Sequence, residues 1–184
     1  AQGTPQVKAL EMNARERSFL EEAQRQVASG RSLDTPVRLY NEGDGVRIEE
    51  DAADGGTRLY HAAWKGWGSA ITWLLEQGAD VNVGEPASGW TPLFGAALYG
   101  HLDAAVLLLD AGARVGDRDG GGSTALHCAA WNGRKSMCKL LLSRGASLDV
   151  RANDGEDPEA IARRCGRTAT ADLLAAVRAA GGWP

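Results

Sequence analysis

The sequence has few of the features that mark disulfide-rich, membrane or nucleic-acid-binding proteins. It contains three cysteines in 184 residues, and this small, odd number argues against a disulfide framework. No apolar run approaches the roughly 18 residues that a membrane-spanning helix needs. Lysine and arginine total 20 against 24 aspartates and glutamates, so the chain lacks the excess of positive charge that phosphate backbones attract. We therefore expect no nucleic-acid partner and no direct insertion into a membrane.

Motifs for catalysis, metal binding and cofactor binding are missing as well. Metal sites need paired spacings such as Cys-x-x-Cys, and none occurs. The glycine-rich stretch 120–123 is not followed by the lysine of a phosphate-binding loop. His127 and Cys128 are adjacent, but neighbouring helical residues point about 100° apart and cannot face each other as a dyad. The sequence therefore predicts a protein that is not an enzyme and that holds no cofactor and no metal.

The cysteines also bear on the compartment. Cys128 and Cys138 lie on predicted apolar helix faces, where a free thiol packs as a small hydrophobic group. This favours a reducing intracellular compartment, by default the cytoplasm or nucleus. Because the sequence begins at Ala1 without a methionine, we expect a processed or trimmed N-terminus, and an organelle is then the alternative.

What the sequence does contain is an internal repeat. A seven-residue block starts with threonine at positions 57, 91 and 124, and a weaker fourth copy starts at Asp157. The blocks read Thr-Arg-Leu-Tyr-His-Ala-Ala, Thr-Pro-Leu-Phe-Gly-Ala-Ala and Thr-Ala-Leu-His-Cys-Ala-Ala. Each is followed by a glycine, an apolar run and a Gly-Ala pair. A period of roughly 33 residues indicates stacked copies of one unit, which we interpret as two short helices joined by a glycine turn.

This pattern closely resembles the ankyrin repeat. Thr91-Pro92-Leu93 matches the opening of that family's signature, and residues 78–82, Gly-Ala-Asp-Val-Asn, match its closing. The resemblance covers roughly residues 54 to 180 and implies an all-α solenoid with short finger loops. Two departures, Tyr60 and Phe94, stand where the family has a loop-bracing histidine. We expect a repeat domain at 54–184 that ends in a short tail, with repeats at about 54–86, 87–120, 121–153 and 154–180.

The second helix of each repeat is expected to bury its aliphatic residues between neighbouring repeats, which would supply much of the stability of the stack. These residues are Ile71, Leu74, Leu75, Leu108, Leu109, Leu141 and Leu142.

Residues 1–53 do not repeat and form an N-terminal extension. Phe19, Ala23 and Val27 recur at helical spacing and predict a helix over 8–29. Alternating apolar and polar residues over 35–48 predict a small β-hairpin with a five-residue loop at 41–45. We interpret the helix as a cap on the first repeat, and the alternative is an arm that binds a partner.

Aromatic residues indicate the candidate binding surface. Six tryptophans are many for this length, whereas there are only two phenylalanines. The resemblance places the two residues after each Ala-Ala pair, and the residue before each threonine, along the concave groove. Exposed aromatic residues across three repeats would be typical of a contact site. The predicted partner-binding residues are Trp64, Lys65, Trp90, Leu98, Tyr99, Trp131 and Asn132.

The resemblance implies a non-catalytic protein–protein interaction module that binds a partner protein in the concave groove. A second hypothesis is a permanent accessory or structural subunit of a larger multiprotein complex, with a broad obligate interface. A third is a regulatory inhibitor of an enzyme. The competing structural explanation is internal: the N-terminal segment folds back over the groove and makes the tryptophans part of the core.

Overall fold

The computed structural model describes residues 12–42, 45–50 and 55–183. Within these residues an N-terminal helix and a two-stranded sheet precede four helix pairs. The predicted all-α solenoid with an N-terminal helix and a small hairpin is confirmed. The elements are α1 (Ala14–Ala28), β1 (Val37–Glu42), β2 (Gly45–Glu50), α2 (Arg58–Lys65), α3 (Gly68–Glu76), α4 (Pro92–Tyr99), α5 (Leu102–Asp110), α6 (Ala125–Trp131), α7 (Lys135–Ser143), α8 (Pro158–Arg164) and α9 (Thr168–Ala179).

Capping residues explain where the first helix of each pair begins. The Thr57 side chain accepts a hydrogen bond from the Tyr60 amide at 3.0 Å, and Asp157 accepts one from the Ala160 amide at 2.9 Å. Both bonds satisfy amides that the first helical turn leaves without an intrahelical partner. In the second repeat Pro92 occupies the first turn, where its missing amide hydrogen costs nothing.

The repeats stack in two layers. Helices α2, α4, α6 and α8 form the inner layer, and α3, α5, α7 and α9 form the outer one. The Ala-Ala pair of each of the first three inner helices is fully buried, and such small side chains let neighbouring helices approach closely. A Cβ added at Gly95 would lie 3.3 Å from the backbone of Trp64. In the outer layer most predicted aliphatic residues are buried, but Leu75 and Leu109 are only half-buried.

The N-terminal helix is shorter than predicted. It begins at Ala14 because Asn13 caps it, accepting a hydrogen bond from the Glu16 amide at 2.9 Å. Residues 8–11 of the predicted helix lie outside the described residues, and 12–13 are not helical. Helix α1 packs on α3 and β2. Phe19 is fully buried there, with its ring 5.2 Å from that of Trp67.

The hairpin is antiparallel and pairs Leu39 with Ile48 and Glu42 with Gly45. The five-residue loop predicted at 41–45 is therefore too long, because 41, 42 and 45 belong to the strands. The hairpin is joined to the first repeat through Val37. Its amide donates to the Gly56 carbonyl at 2.8 Å, and its carbonyl lies 2.8 Å from Nε2 of His61.

Each repeat has a turn between its inner and its outer helix. Hydrogen bonds from this turn to the preceding repeat link consecutive repeats, and we call this series of bonds the turn ladder. A side chain from each turn bonds to a carbonyl near the end of the preceding inner helix. It also lies over the glycine of the preceding turn, which has positive φ, and a Cβ at Gly100 would come within 2.9 Å of Arg134. The bonds are His101 Nε2 with Trp64 O (3.1 Å), Arg134 Nε with Leu98 O (3.5 Å) and Arg167 Nε with Trp131 O (3.2 Å).

The fingers are linked on the opposite side of the stack. The Gly120 amide donates to the Ser88 carbonyl, and the Asn153 amide donates to the Gly121 carbonyl, both at 2.8 Å. An eight-residue inner helix such as α4 separates finger from turn, a distance of about 12 Å at 1.5 Å per residue. The solenoid thus has two distinct edges, which we call the finger edge (79–91, 113–124 and 146–157) and the turn edge (64–69, 98–103, 131–136 and 164–169).

Candidate functional site

Three of the predicted binding residues, Trp64, Lys65 and Tyr99, come together at the turn edge. Trp64 lies in the last turn of the inner helix of the first repeat, and Tyr99 ends the inner helix of the second. Their rings meet edge to face with centroids 5.7 Å apart. The Lys65 ammonium lies 4.3 Å from the centroid of the Trp64 ring, within range of a cation–π interaction. Trp64 is half-buried, so these neighbours fix its ring while leaving part of it accessible.

The prediction for Leu98 needs correction. It occupies the same register position as Trp64 and Trp131, but only 8% of its side chain is exposed. A branched four-carbon side chain ends closer to the backbone than an indole ring, so Leu98 is enclosed in the stack. Asn132 lies one repeat further on, and its amide nitrogen donates to the Leu98 carbonyl at 2.8 Å. Leu98 therefore belongs to the core, and Asn132 links two inner helices.

Trp90 lies apart from the other aromatic residues, on the finger edge. Its indole nitrogen donates to Asp119 at 3.0 Å, and its ring stacks on Phe94 with centroids 6.5 Å apart. The hydrogen bond holds the finger at 79–91 against the finger at 113–124, and the stacking holds the indole against α4 of its own repeat. The single stripe predicted from the sequence is thus divided, because the helix that precedes each turn separates Trp90 from Trp64, Tyr99 and Trp131.

Trp131 is the most exposed large hydrophobic residue of the described chain, at 49%, followed by Tyr99 at 43% and Leu102 at 38%. All three lie on the turn edge of the second and third repeats. Sequence reasoning missed Leu102, although the register contained a signal: Lys135 and Thr168 occupy the equivalent positions. A leucine where other repeats carry polar residues is an unusual exposed apolar group.

The described part of the N-terminal extension does not cover these residues. Helix α1 and the hairpin pack against the first repeat, whereas Tyr99 and Trp131 belong to the second and third. The internal explanation, in which this segment buries the tryptophans, therefore does not apply to the exposed rings of Tyr99 and Trp131.

The surroundings of His127, Cys128 and Cys138 indicate structural roles for these side chains. Nδ1 of His127 lies 3.1 Å from the Thr124 amide that donates to it, and Nε2 lies 3.4 Å from the Glu156 carbonyl. His127 thus braces the third finger against the fourth, as the resemblance implied. Burial lowers its pKa, and burial raises the pKa of the Cys128 and Cys138 thiols to about 12. A thiol of such high pKa is not a nucleophile near neutral pH.

His61 has a different neighbourhood. Its Nε2 lies 2.8 Å from the Val37 carbonyl, and its ring meets that of Trp64 edge-on at 6.2 Å. Burial lowers the pKa of His61 to about 4. The neutral imidazole therefore donates a hydrogen bond to the Val37 carbonyl of the hairpin. The sequence did not indicate this bond, because its two partners are 24 residues apart.

The described residues contain neither a candidate metal site nor a membrane-spanning helix. No group of three or more histidine, cysteine, aspartate or glutamate side chains is placed to hold a metal ion. No described helix has the length and apolar character needed to cross a membrane.

Comparison with known proteins matches residues 26–119, and in a second register 59–152, to the family model described as ankyrin repeats (3 copies). Human neurogenic locus notch homolog protein 4 is 37% identical over 106 residues, which are 57% of this chain and 5% of that protein. Mouse B-cell lymphoma 3 protein homolog is 32% identical over 136 residues, 74% of this chain and 28% of that protein. Human ankyrin repeat and KH domain-containing protein 1 is 37% identical over 108 residues, 55% of this chain and 4% of that protein. The chain spans less than a third of the length of each of these relatives.

Proposed function

Because this chain belongs to the ankyrin repeat family, whose repeats generally serve as protein–protein interaction modules, we propose that it is a non-catalytic module that binds a partner protein. The partner lies in the concave groove formed by the inner helices and is anchored on the exposed aromatic residues at their ends. The observation that carries this proposal is the exposure of Trp131 and Tyr99 in adjacent repeats.

The energetic argument rests on preorganisation. Tryptophan and tyrosine are enriched among the interface residues whose loss costs about 2 kcal/mol or more. Trp64 is already fixed by Tyr99 and Lys65, so binding would immobilise few additional rotors. Rigid rings that are partly accessible to solvent can therefore contribute more affinity than flexible side chains of the same area.

The test is affinity purification with the full chain as bait, followed by calorimetry with the purified partner. We expect Tyr99→Ala/Trp131→Ala to weaken binding at least about 30-fold, because two aromatic anchors are lost. The matched control is Trp73→Ala, which removes an indole from α3 in the outer layer. Circular dichroism checks that each variant is folded.

A folded double variant that binds its partner as tightly as the wild type would overturn the proposal. The accessory-subunit hypothesis predicts a different result: the chain would be insoluble without its partner and would purify only as a stoichiometric complex. The inhibitor hypothesis requires that the captured partner be an enzyme whose activity falls on binding.

A further inference from the structure

The two edges of the solenoid carry opposite charge. The finger edge contains eight aspartates and glutamates and three arginines. The turn edge contains one acidic residue, Asp103, and five basic residues: Lys65, Arg134, Lys135, Arg164 and Arg167. The net charge of the chain is only −4, so this separation of charge is a local property that the overall composition conceals.

Three of the five turn-edge cations are available to a ligand. Arg164 is occupied by Glu156 at 2.7 Å, and Lys65 lies over the Trp64 ring. Arg134, Lys135 and Arg167 are exposed, and none of them forms an ion pair within the parts of the chain that the structure describes. In the turn ladder Arg134 and Arg167 donate through Nε. The ladder thus fixes the direction of each guanidinium group without neutralising its charge.

The exposed apolar residues lie among these cations. Tyr99, Leu102 and Trp131 are on the same edge. A shallow cavity of about 230 Å³ lies between the second and third repeats. Its lining includes the apolar residues Leu102 and Met137 and the basic residues Arg134 and Lys135. The surface therefore offers a place for an apolar side chain directly beside positive charge.

We propose that the turn edge of the second to fourth repeats binds a segment of the partner protein in which an apolar side chain is flanked by carboxylates. The apolar side chain enters the cavity beside Leu102, and the carboxylates pair with Arg134, Lys135 and Arg167. This inference rests on the proposed function and adds the chemistry of the partner. Charge complementarity of this kind sets partner choice and the rate of association.

A short acidic peptide fits this surface better than a membrane or a nucleic acid does. The basic strip is narrow, because the acidic finger edge lies about 12 Å away across the inner helices. An extended anionic surface wide enough to cover both edges would place its own charges directly against those carboxylates, closer than the Debye length of about 8 Å at physiological ionic strength, and would be repelled by them. A single peptide strand along the turn edge avoids that repulsion.

The test begins with selection of random linear peptides displayed on phage, using the full chain as the target. We expect the enriched peptides to place aspartate or glutamate on both sides of a large apolar residue. A synthetic, fluorescently labelled copy of the most enriched peptide then gives the affinity by anisotropy at low and physiological salt.

Charge reversal tests the assignment directly. We expect Arg134→Glu/Lys135→Glu/Arg167→Glu to weaken peptide binding at least about tenfold at low salt. Lys135→Glu alone, which breaks no described hydrogen bond, should weaken it about threefold. The matched control reverses three arginines of α1, Arg15, Arg17 and Arg25, and makes the same change in net charge on the N-terminal helix that covers the first repeat. This control should leave the affinity unchanged.

Each contrary outcome has a separate meaning. Enriched peptides without carboxylates overturn the inference. The inference is also overturned if the charge-reversed variant binds normally while Tyr99→Ala/Trp131→Ala abolishes binding. In that case the proposed function survives. If no peptide is enriched and neither variant loses its protein partner, the inference and the proposed function both fail. Binding to phosphatidylserine vesicles or duplex DNA that charge reversal abolishes, without any enriched peptide, overturns the inference in favour of another class of ligand.

Discussion

At its N-terminal end the stack is covered by elements that do not repeat, whereas at its C-terminal end it is covered by a repeat whose own sequence has changed. Both ends face the same physical problem, because the outermost copy of a repeat has no neighbour to bury its apolar side. Helix α1 and the hairpin cover the first repeat, and the helix pair α8 and α9 ends the described stack.

The N-terminal cover relies on burial. Phe19 packs on Trp67, and Glu16 accepts hydrogen bonds from the amides of Ser69 and Ala70 at 3.0 and 3.1 Å. Those amides begin α3, which has no capping side chain of its own. The carboxylate supplied by α1 thus satisfies the N-terminus of the neighbouring helix and complements its dipole.

The C-terminal cover relies on ion pairs nearer the surface. Arg178 on α9 donates to Asp157 at 3.1 Å and to the Leu148 carbonyl at 3.2 Å, and it also pairs with Glu159. Its side chain remains 38% exposed. The contrast teaches that an added element can supply buried contacts, whereas a modified repeat keeps its helices in place and changes its surface charges.

The largest expected effect is at the N-terminal cover. Phe19→Ala should lower the free energy of unfolding by about 3–5 kcal/mol, because it leaves a cavity against Trp67. Urea denaturation followed by circular dichroism measures the loss. Phe19→Leu, the control, retains most of the apolar volume and should cost less than about 1.5 kcal/mol. A loss below about 1 kcal/mol for the alanine variant would show that α1 contributes little to the stack.

The next effect is a pH dependence that separates the two ends. The pKa of His61 falls from 6.5 to about 4 on folding, chiefly through burial, so the unfolded chain binds the proton more readily. The contribution of the neutral His61 to the free energy of unfolding is fully present above pH 6.5 and is lost as the pH falls from 6.5 towards 4. The free energies of unfolding obtained from urea titrations at pH 7.5 and at pH 4.5 should differ by about 2–3 kcal/mol.

Other titratable groups of the chain modify this pH profile in directions that follow from their pKa shifts. His127, whose pKa burial also lowers, adds to the loss, whereas Asp34 opposes it because burial raises its pKa. His61→Gln, which does not titrate, should flatten most of the slope. At the C-terminal end Asp157 has a lowered pKa, so its contribution is lost only below pH 3.8. An unchanged slope in the glutamine variant would contradict the assignment to His61.

The smallest effect is at the C-terminal cover. Arg178→Ala should cost about 1 kcal/mol, since charge-assisted hydrogen bonds are weakened by partial exposure. High salt should reduce this difference and leave that of Phe19→Ala unchanged. Arg163→Ala, the control, removes an i,i+4 pair with Glu159 whose arginine is 61% exposed, and it should cost less than about 0.5 kcal/mol. Equal losses for the two variants would erase the contrast between the ends.

The period predicted the helix pairs, because similar blocks at a fixed spacing indicate one repeated local structure. The threonines and glycines of the first three blocks mark where their helices begin and end. The covers could not be predicted in the same way. The bonds from Glu16 to the start of α3 span more than 50 residues, and no local pattern in the sequence encodes such a pairing. The helical spacing of apolar residues also predicted too early a start for α1, because the cap at Asn13 fixes where that helix begins.

For the candidate site, register placed Trp64 and Trp131 at equivalent helix ends, but it could not give their exposure. Exposure depends on side-chain length relative to the stack, which is why Leu98 is buried where a tryptophan is not. Register alone assigned Trp90 to the same stripe as Trp64, because register does not give the distance between finger and turn. The charge of the turn edge has no local signal in the sequence, because successive turns lie about 33 residues apart and become neighbours only in the folded solenoid.

The turn ladder has a consequence for how such a chain can change in length. Each of the second to fourth repeats carries its own fastener, a side chain that reaches back to the glycine and carbonyl of the copy before it. A duplicated copy inserted into the stack would bring this fastener with it and would present the same glycine to the next copy. The number of units can therefore grow during evolution by gene duplication alone, with no matching change in the units on either side.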